Sequence, residues 1–565
     1  MSAVDPAPSP LEWLAGLPAL PSVPPQTWKE VEAATERLLE HIRSPNLSEP
    51  YLESAFQYGC LLYDRGDETG AEEIFEALDR HPAVACRNDV RAYCALWLVR
   101  CHAEADEMEE ALDRLRGARA LCRALPPSHP AHGACAAAHG AIESGRGRYD
   151  HAARAYGLSA ALCPADSKLT ALWDRSPAGD VAALRSLTAA EAILQGLRDG
   201  GSGGGELDRA EREIRAAQAL SNSLRVRLTC QIHLAELALG RGRPDSASTL
   251  AHGILGLLRD PGFSAPLSRG LLPEVHWLLA RIEFFRGDLS GALDHLRAAF
   301  SALRHWRRTS SERRLVEDLV HMLGHLHTQR HGGFREQSIL DDLDREGAWI
   351  PALAEQSEAR DRYILSGHSR HVETLCLALI ETDGSRHPRA PFAPGEVVSG
   401  PLRGAALLHD IGKLRVSWSL LCRHRTPLPK HLTRIARHVQ EGVRLVEILG
   451  LPWTARIVGE HHERLGGRGY PLGAETLSSM GSILALSEAV VSAASPSFRV
   501  PRPPSLEATV RSLLSDPEPE FPAPALDALR GASSRGALHP LGQALRADLA
   551  PGPLSRAQQL DRTRG

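Results

Sequence analysis

From about Trp28 to residue 330, apolar positions recur at intervals of three and four residues. Alanine, leucine and arginine dominate, β-branched residues are sparse, and no stretch alternates apolar with polar residues. This spacing gathers apolar side chains on one face of a helix and predicts an all-α region over 28–330. The first 27 residues carry seven prolines and few charges, which predicts an irregular lead over 1–27. His331, Gly332 and Gly333 break the pattern, so a linker is expected at 331–350. A second all-helical domain is expected at 351–530 and a tail at 531–565.

The first helical region repeats internally. A turn residue recurs with alanine five positions later and, in most instances, a bulky apolar residue four beyond. The instances are Gly66/Ala71/Phe75, Asp106/Ala111/Leu115, Gly147/Ala152/Tyr156, Gly205/Ala210/Ile214, Gly242/Ala247/Ala251 and Gly287/Ala292/Leu296. Small residues (Gly59, Gly140, Ala235 and Ala280) lie seven positions before four of these turns. The pattern describes a solenoid of helical hairpins. The turn residue ends one helix, the small residue admits its neighbour, and the large one fills the gap to the next hairpin. It resembles tetratricopeptide repeats over roughly 45–305, which implies a concave face for a protein partner. A non-repetitive helical bundle is the alternative. Gly200–Gly205 reads as a flexible loop between units, and Pro164 as the stop of a second helix.

Composition removes several function classes. The chain has 565 residues and a net charge of −4, which argues against long nucleic acid as a partner. No apolar run is long enough to span a bilayer, and the first residues show no secretion signal, so a cytoplasmic, non-membrane protein is expected. Ten cysteines without a Cys-x-x-Cys fit a reducing compartment and a structural, buried role. Positive charge is written almost wholly as arginine. Lys29, Lys168, Lys413 and Lys430 are the only lysines, so a lysine in a chemical motif stands out.

The second region carries that motif. The candidates are His368, the pair His409-Asp410, His438, the pair His461-His462 followed by Glu463, and Glu488, and several of them lie beside apolar runs. Imidazole and carboxylate groups there are costly unless paired or bound to metal. Mixed nitrogen and oxygen donors suit iron, manganese, zinc, nickel or cobalt. Two such ions a few ångströms apart would clamp a phosphate, and a shared carboxylate could bridge them. Lys413 follows Asp410 by three residues and could hold a phosphate oxygen. From Ile411 to Gln440 no acidic residue occurs, but Lys413, Arg415, Arg423, Arg425, Lys430, Arg434 and Arg437 do. They read either as a positive rim for an anionic dinucleotide or as a solvated basic face.

Taken in order, His368, His409-Asp410-Ile411-Gly412-Lys413, His438, His461-His462-Glu463 and Gly469-Tyr470-Pro471 resemble the HD-GYP branch of the HD phosphohydrolase superfamily, over about 360–525. The resemblance implies an all-α domain holding divalent transition metals, commonly iron or manganese. It also implies a phosphodiesterase of bacterial second-messenger signalling that opens cyclic di-GMP to linear pGpG or GMP. Carried over by position, His368, His409, Asp410, His438, His461 and His462 are metal ligands, with Asp410 bridging. Asp410 and Lys413 are catalytic, and Lys413, Arg468, Gly469, Tyr470 and Pro471 lie beside the substrate. The chain departs from the family pattern at several positions. Glu488 stands where the family has its last metal-binding aspartate, and Ile364 replaces the glutamate of three-metal members, which favours two metals. Gly466 and Val491 replace aspartates. Ser497 lies near the place of an arginine, with Arg499 two residues on. These departures leave two further readings open. One is a degenerate domain that binds nucleotide or partners without hydrolysis, with the repeats as a protein-interaction scaffold. The other is an enzyme for a different cyclic dinucleotide or phosphoester.

Overall fold

Helices account for every long regular element, and among the described residues no strand forms. The computed structural model describes residues 28–549 apart from 45–48, 65, 163–177, 199–203, 222, 261–264, 304–315, 319, 325–335, 337–348, 360, 362–363, 365–366, 383–398, 424–426 and 498–499. The expected Pro-rich lead, Pro164, most of the Gly200–Gly205 loop and the His331-Gly332-Gly333 break lie outside these residues. So do Arg425, Arg499 and the last part of the tail. The chain divides into two units, Met1–Ser310 and Ser311–Gly565.

The first unit is a series of antiparallel helix pairs. After α1 (Trp28–Ile42) come α2 (Glu49–Asp64) and α3 (Glu68–Asp79), α4 (Asn88–Glu104) and α5 (Met108–Cys122), and α6 (Ala131–Gly145) and α7 (Tyr149–Ala161). They continue as α8 (Ala178–Arg198) with α9 (Gly204–Leu220), α10 (Leu224–Gly240) with α11 (Pro244–Arg259), and α12 (Ala265–Arg286) with α13 (Leu289–Leu303). The first helices of successive pairs also pack together, as α4 does on α6, α8 on α10 and α10 on α12. Stacking of that kind buries a continuous core that no single hairpin could close.

The repeat residues explain the hairpins. Gly66, Asp106, Gly147, Gly242 and Gly287 all have positive φ, between 61° and 80°. This left-handed conformation ends one helix and turns the chain into the next. Ala71, Ala111, Ala152, Ala210, Ala247 and Ala292 are fully buried. Two details differ from expectation. Gly205 is no turn residue, because it lies in the first turn of α9. The bulky residue also reaches back onto its own hairpin. A Cβ added at Gly59 would stand 2.9 Å from the Phe75 ring, and one at Gly140 would stand 2.9 Å from Tyr156. Each glycine is the recess into which the aromatic ring of its partner helix fits.

The second unit contains α14 (Trp349–Glu358), α15 (His368–Thr382), α16 (Ser399–Leu408), a 3-10 turn (Ile411–Arg415), α17 (Trp418–Leu421), α18 (Pro429–Ala436), α19 (His438–Ile448), α20 (Pro452–Val458), α21 (Ser479–Ala494), α22 (Leu506–Leu514), α23 (Ala523–Ser534) and α24 (His539–Leu549). Helix α15 packs against α16, α21 and α23 at the centre. This unit starts earlier than the expected linker. Glu317 pairs with Arg415 and Arg444, and Glu336, inside 331–350, accepts from the backbone of Trp453 and Thr454. The described part of the expected tail, 531–549, also belongs to the fold. Ala532 on α23 and Leu541 and Leu545 on α24 are buried. No described helix is long and apolar enough to cross a membrane.

Candidate metal centre

The site grows from one close approach of backbone to backbone. Helix α16 ends at Leu408, and His409 and Asp410 occupy the turn that follows. The next residue but one, Gly412, lies against the first turns of α19, where an added Cβ would collide with the His438 carbonyl oxygen and the Gly442 nitrogen. Only a residue without a side chain lets the turn lie there. The approach carries Asp410 to His438. On the other side, Ser357 of α14 donates to the Asp410 carbonyl oxygen at 2.8 Å.

His368 opens α15 and is fixed by a carboxylate that the sequence reading passed over. Buried Glu358 accepts from the backbone nitrogens of Gly367 and Ser369, both at 2.7 Å. It satisfies the free N–H groups of the helix start and sets where the histidine projects.

Three histidines share one device. His409 Nδ1 donates to the Ala406 carbonyl at 2.9 Å, His438 Nδ1 to Ile435 at 2.7 Å, and His461 Nδ1 to Val458 at 2.6 Å. A carbonyl only accepts, so each Nδ1 carries the proton and each Nε2 presents its lone pair. His438 Nε2 and His461 Nε2 then face each other at 3.2 Å. Two lone pairs at that distance repel unless a cation lies between them. About 3 Å is also the separation of two nitrogens bound about 2.1 Å from one ion at a right angle. The Nε2 atoms of His368 and His409 are buried without a hydrogen-bond partner. The donor set therefore fits transition-metal ions.

The ligand atoms fall into two groups, His368, His409 and Asp410 in one and His438, His461 and His462 in the other, each within 4.8 Å. Asp410 faces both. One oxygen lies 3.3 Å from His409 Nε2 and the other 3.4 Å from His438 Nε2. The His409 and His461 rings lie 5.2 Å apart.

The electrostatics suit cation capture at neutral pH. Burial, reinforced by neighbouring imidazoles, pushes His368 down to about 3 and holds His461 and His462 well below the usual range. Burial likewise pushes His438 down to about 4. For His409, burial is outweighed by the Asp410 charge, and its pKa is raised. Burial opposes ionisation of Asp410, but Lys413 and His409 hold it well below the carboxylate range. The imidazoles other than His409 are held neutral, and a neutral imidazole binds a cation without first losing a proton.

Lys413 is brought to the site and engaged there. Its Nζ lies 2.8 Å from Asp410 and 2.7 Å from Asp361, a second carboxylate missed in the sequence. Burial disfavours its charge, but the two carboxylates outweigh that and raise its pKa. Glu488 is half-buried and belongs to neither ligand group. Its charge reaches His409, while its Oε1 accepts from Ser492 at 2.7 Å. Ile364 is half-buried and offers no donor, and Val491 is buried among the apolar residues of α21.

The loop after His462 is organised around Glu463. This fully buried carboxylate accepts from the nitrogens of Leu472 at 2.7 Å and Ala474 at 2.9 Å. Gly469 is pressed against Glu463, Arg464 and the His462 carbonyl, where a Cβ would not fit. That closeness brings Tyr470 onto His462, with the rings stacked 4.6 Å apart. Pro471 follows in the same turn. Arg468 does not point its charge at the ligands. Its guanidinium donates to the carbonyls of Leu465 and Pro519 and ties the loop to the approach of α23. Several of the basic residues between Ile411 and Gln440, open to reading as a positive rim or as a solvated face, are neither free nor exposed. Lys413, Arg423 and Arg434 are buried, and Arg415 pairs with Glu317 and Glu441. The acidic partners come from outside the stretch, so its own lack of acids misled.

Comparison with known families agrees with this geometry. Residues 365–510 match the family model of the HD domain. The matched stretch contains every candidate ligand from His368 to Glu488, and it supports the HD superfamily of metal-dependent phosphohydrolases for this region. No curated protein matches the chain.

Proposed function

We propose that the second unit is an HD-GYP-type phosphodiesterase that holds two iron or manganese ions and opens cyclic di-GMP. The helical repeats, tetratricopeptide-like in pattern, would dock a protein partner that localises or regulates it. One observation carries this reading: Asp410 offers one oxygen to each of two groups of buried or half-buried imidazoles. When bound, the ions would supply Lewis acidity toward a phosphodiester and toward water.

The chain's own residues do the rest. His368, His409 and Asp410 would hold one ion, and His438, His461 and His462, with Asp410 shared, the other. The Nδ1–H bonds to Ala406, Ile435 and Val458 keep each ring oriented. Lys413 keeps Asp410 ionised and places an ammonium where phosphate charge would gather. Tyr470, stacked on His462, provides a flat face for a base at the mouth of the site. Glu463 holds that face in place through the loop backbone.

Metal-loaded protein should convert cyclic di-GMP to linear pGpG, and Asp410→Ala should reduce turnover to background. Nucleotide binding by fully metallated protein without any hydrolysis would replace the enzyme with a binding module. Faster turnover of another cyclic dinucleotide at matched concentration would change the substrate alone.

A further inference from the structure

The histidines of the second ligand group are not held alike. His438 and His461 each anchor Nδ1 on the carbonyl three residues back, at Ile435 and Val458. Among the described residues the His462 ring has no such anchor. It stacks on Tyr470 at 4.6 Å and lies beside His461 at 4.2 Å. Its direction therefore depends on the backbone that carries it. Arg464 clips that backbone. Its Nη1 donates to the His461 carbonyl at 3.2 Å and to the Glu463 carbonyl at 2.8 Å. These acceptors flank His462, whose own carbonyl takes the Tyr470 N–H at 3.1 Å. The guanidinium is itself seated. It lies over the ring of buried Phe521, 4.8 Å from the centroid, and its Nε is 3.6 Å from a Glu520 oxygen. Glu520 is exposed, so that ion pair contributes little, and the ring and the two carbonyls fix the arginine. The Glu520 carbonyl also takes the Leu465 N–H at 2.8 Å. Glu520 and Phe521 lie beyond the stretch 365–510 that matches the HD domain.

We propose that Arg464 is a positioning residue for the ion held by His438, His461 and His462, with Phe521 as its seat. The proposal rests on the reading that the two ligand groups hold metal. Arg464 bonds to no ligand atom and acts through the two carbonyls. A charged donor holds a carbonyl more firmly than a neutral one does. Without it, the peptide units on both sides of His462 turn toward water, and the ring, which has no anchor of its own, turns with them. Supports of this kind set how well a site grips its metal. The effect is confined to one group. His368 opens α15 and His409 follows α16, and neither residue shares a hydrogen bond with Arg464. Lysine at 464 would keep the charge and the donors but lose the planar face that lies on Phe521.

The test titrates the full chain with manganese(II) alone by equilibrium dialysis and follows backbone hydrogen exchange in the metal-free chain. In Arg464→Ala, one of the two manganese ions should bind about tenfold more weakly or worse, while the other keeps its affinity. The Tyr470 amide, which donates to the His462 carbonyl, should exchange faster in the same variant without any metal. Arg464→Lys should fall between alanine and wild type on both readouts. Two ions bound by Arg464→Ala as tightly as by wild type would overturn the proposal, as would Tyr470 exchange that stays unchanged. Equal weakening of both ions would overturn it too, because Arg464 would then support the whole unit and not one group. A wild-type chain that takes up no manganese would instead defeat the metal reading itself.

Discussion

Glu463 shows how one buried carboxylate can shape a site it does not touch. Both its oxygens accept from loop nitrogens, so its charge is answered by backbone dipoles alone. Glu463→Gln keeps the volume but turns one acceptor into a donor that faces an N–H. The expected cost is about 1–3 kcal/mol, with faster hydrogen exchange over residues 463–474. Unchanged exchange in that loop would contradict the assignment. At this scale the legible residues were those in a motif. His368, His409, Asp410, His438, His461 and His462 are six polar side chains in one ordered motif, and the structure brings them together. Glu358, Ser357 and Asp361 were not legible. Their partners are backbone groups or the distant Lys413, and no local spacing marks such a partner. The reach of Glu488 was equally hidden, because its hydrogen bond to Ser492 is a rotamer choice.

At the scale of elements, the hairpins rest on shape more than on helix propensity. Gly59→Ala should destabilise the first unit by about 1–3 kcal/mol, since the added methyl meets the Phe75 ring. Phe75→Leu also costs stability alone, but the double substitution should cost less than the sum, because the smaller side chain vacates the space. Strictly additive losses in chemical denaturation would place the ring elsewhere. The turn and alanine positions were readable because they recur at fixed offsets and demand a special backbone or a small volume. Gly205 matched the offset without the conformation. Helix α24 lies inside the stretch expected to be a tail. Pro540 stands in the first turn of that helix, where its missing N–H leaves no bond unmade.

Across the whole molecule, acid should strike the first unit through one histidine pair. His276 is buried, with its Nδ1 3.1 Å from that of His295. Burial, then the His295 charge, lowers its pKa to about 4, from about 6.5 when unfolded. Between those values the unfolded chain binds more protons than the folded one. Stability is therefore full above about 6.5 and falls as pH drops toward 4. Thermal unfolding followed through Trp277 should show this decline, and His276→Leu should flatten it. A wild-type midpoint that stays constant over that range would refute the coupling. The fold class was legible at this scale, whereas the boundary between units was not. Glu317 and Glu336 join the second unit through ion pairs and backbone caps, which leave no periodic trace.

The most direct test of the metal centre is elemental analysis of the full chain, purified without chelators and loaded anaerobically with iron or manganese. The account predicts about two transition-metal ions per chain, most of them lost in Asp410→Ala, whose carboxylate faces both groups of imidazoles. A wild-type chain free of metal under every loading condition, or one whose metal content Asp410→Ala leaves unchanged, would contradict it.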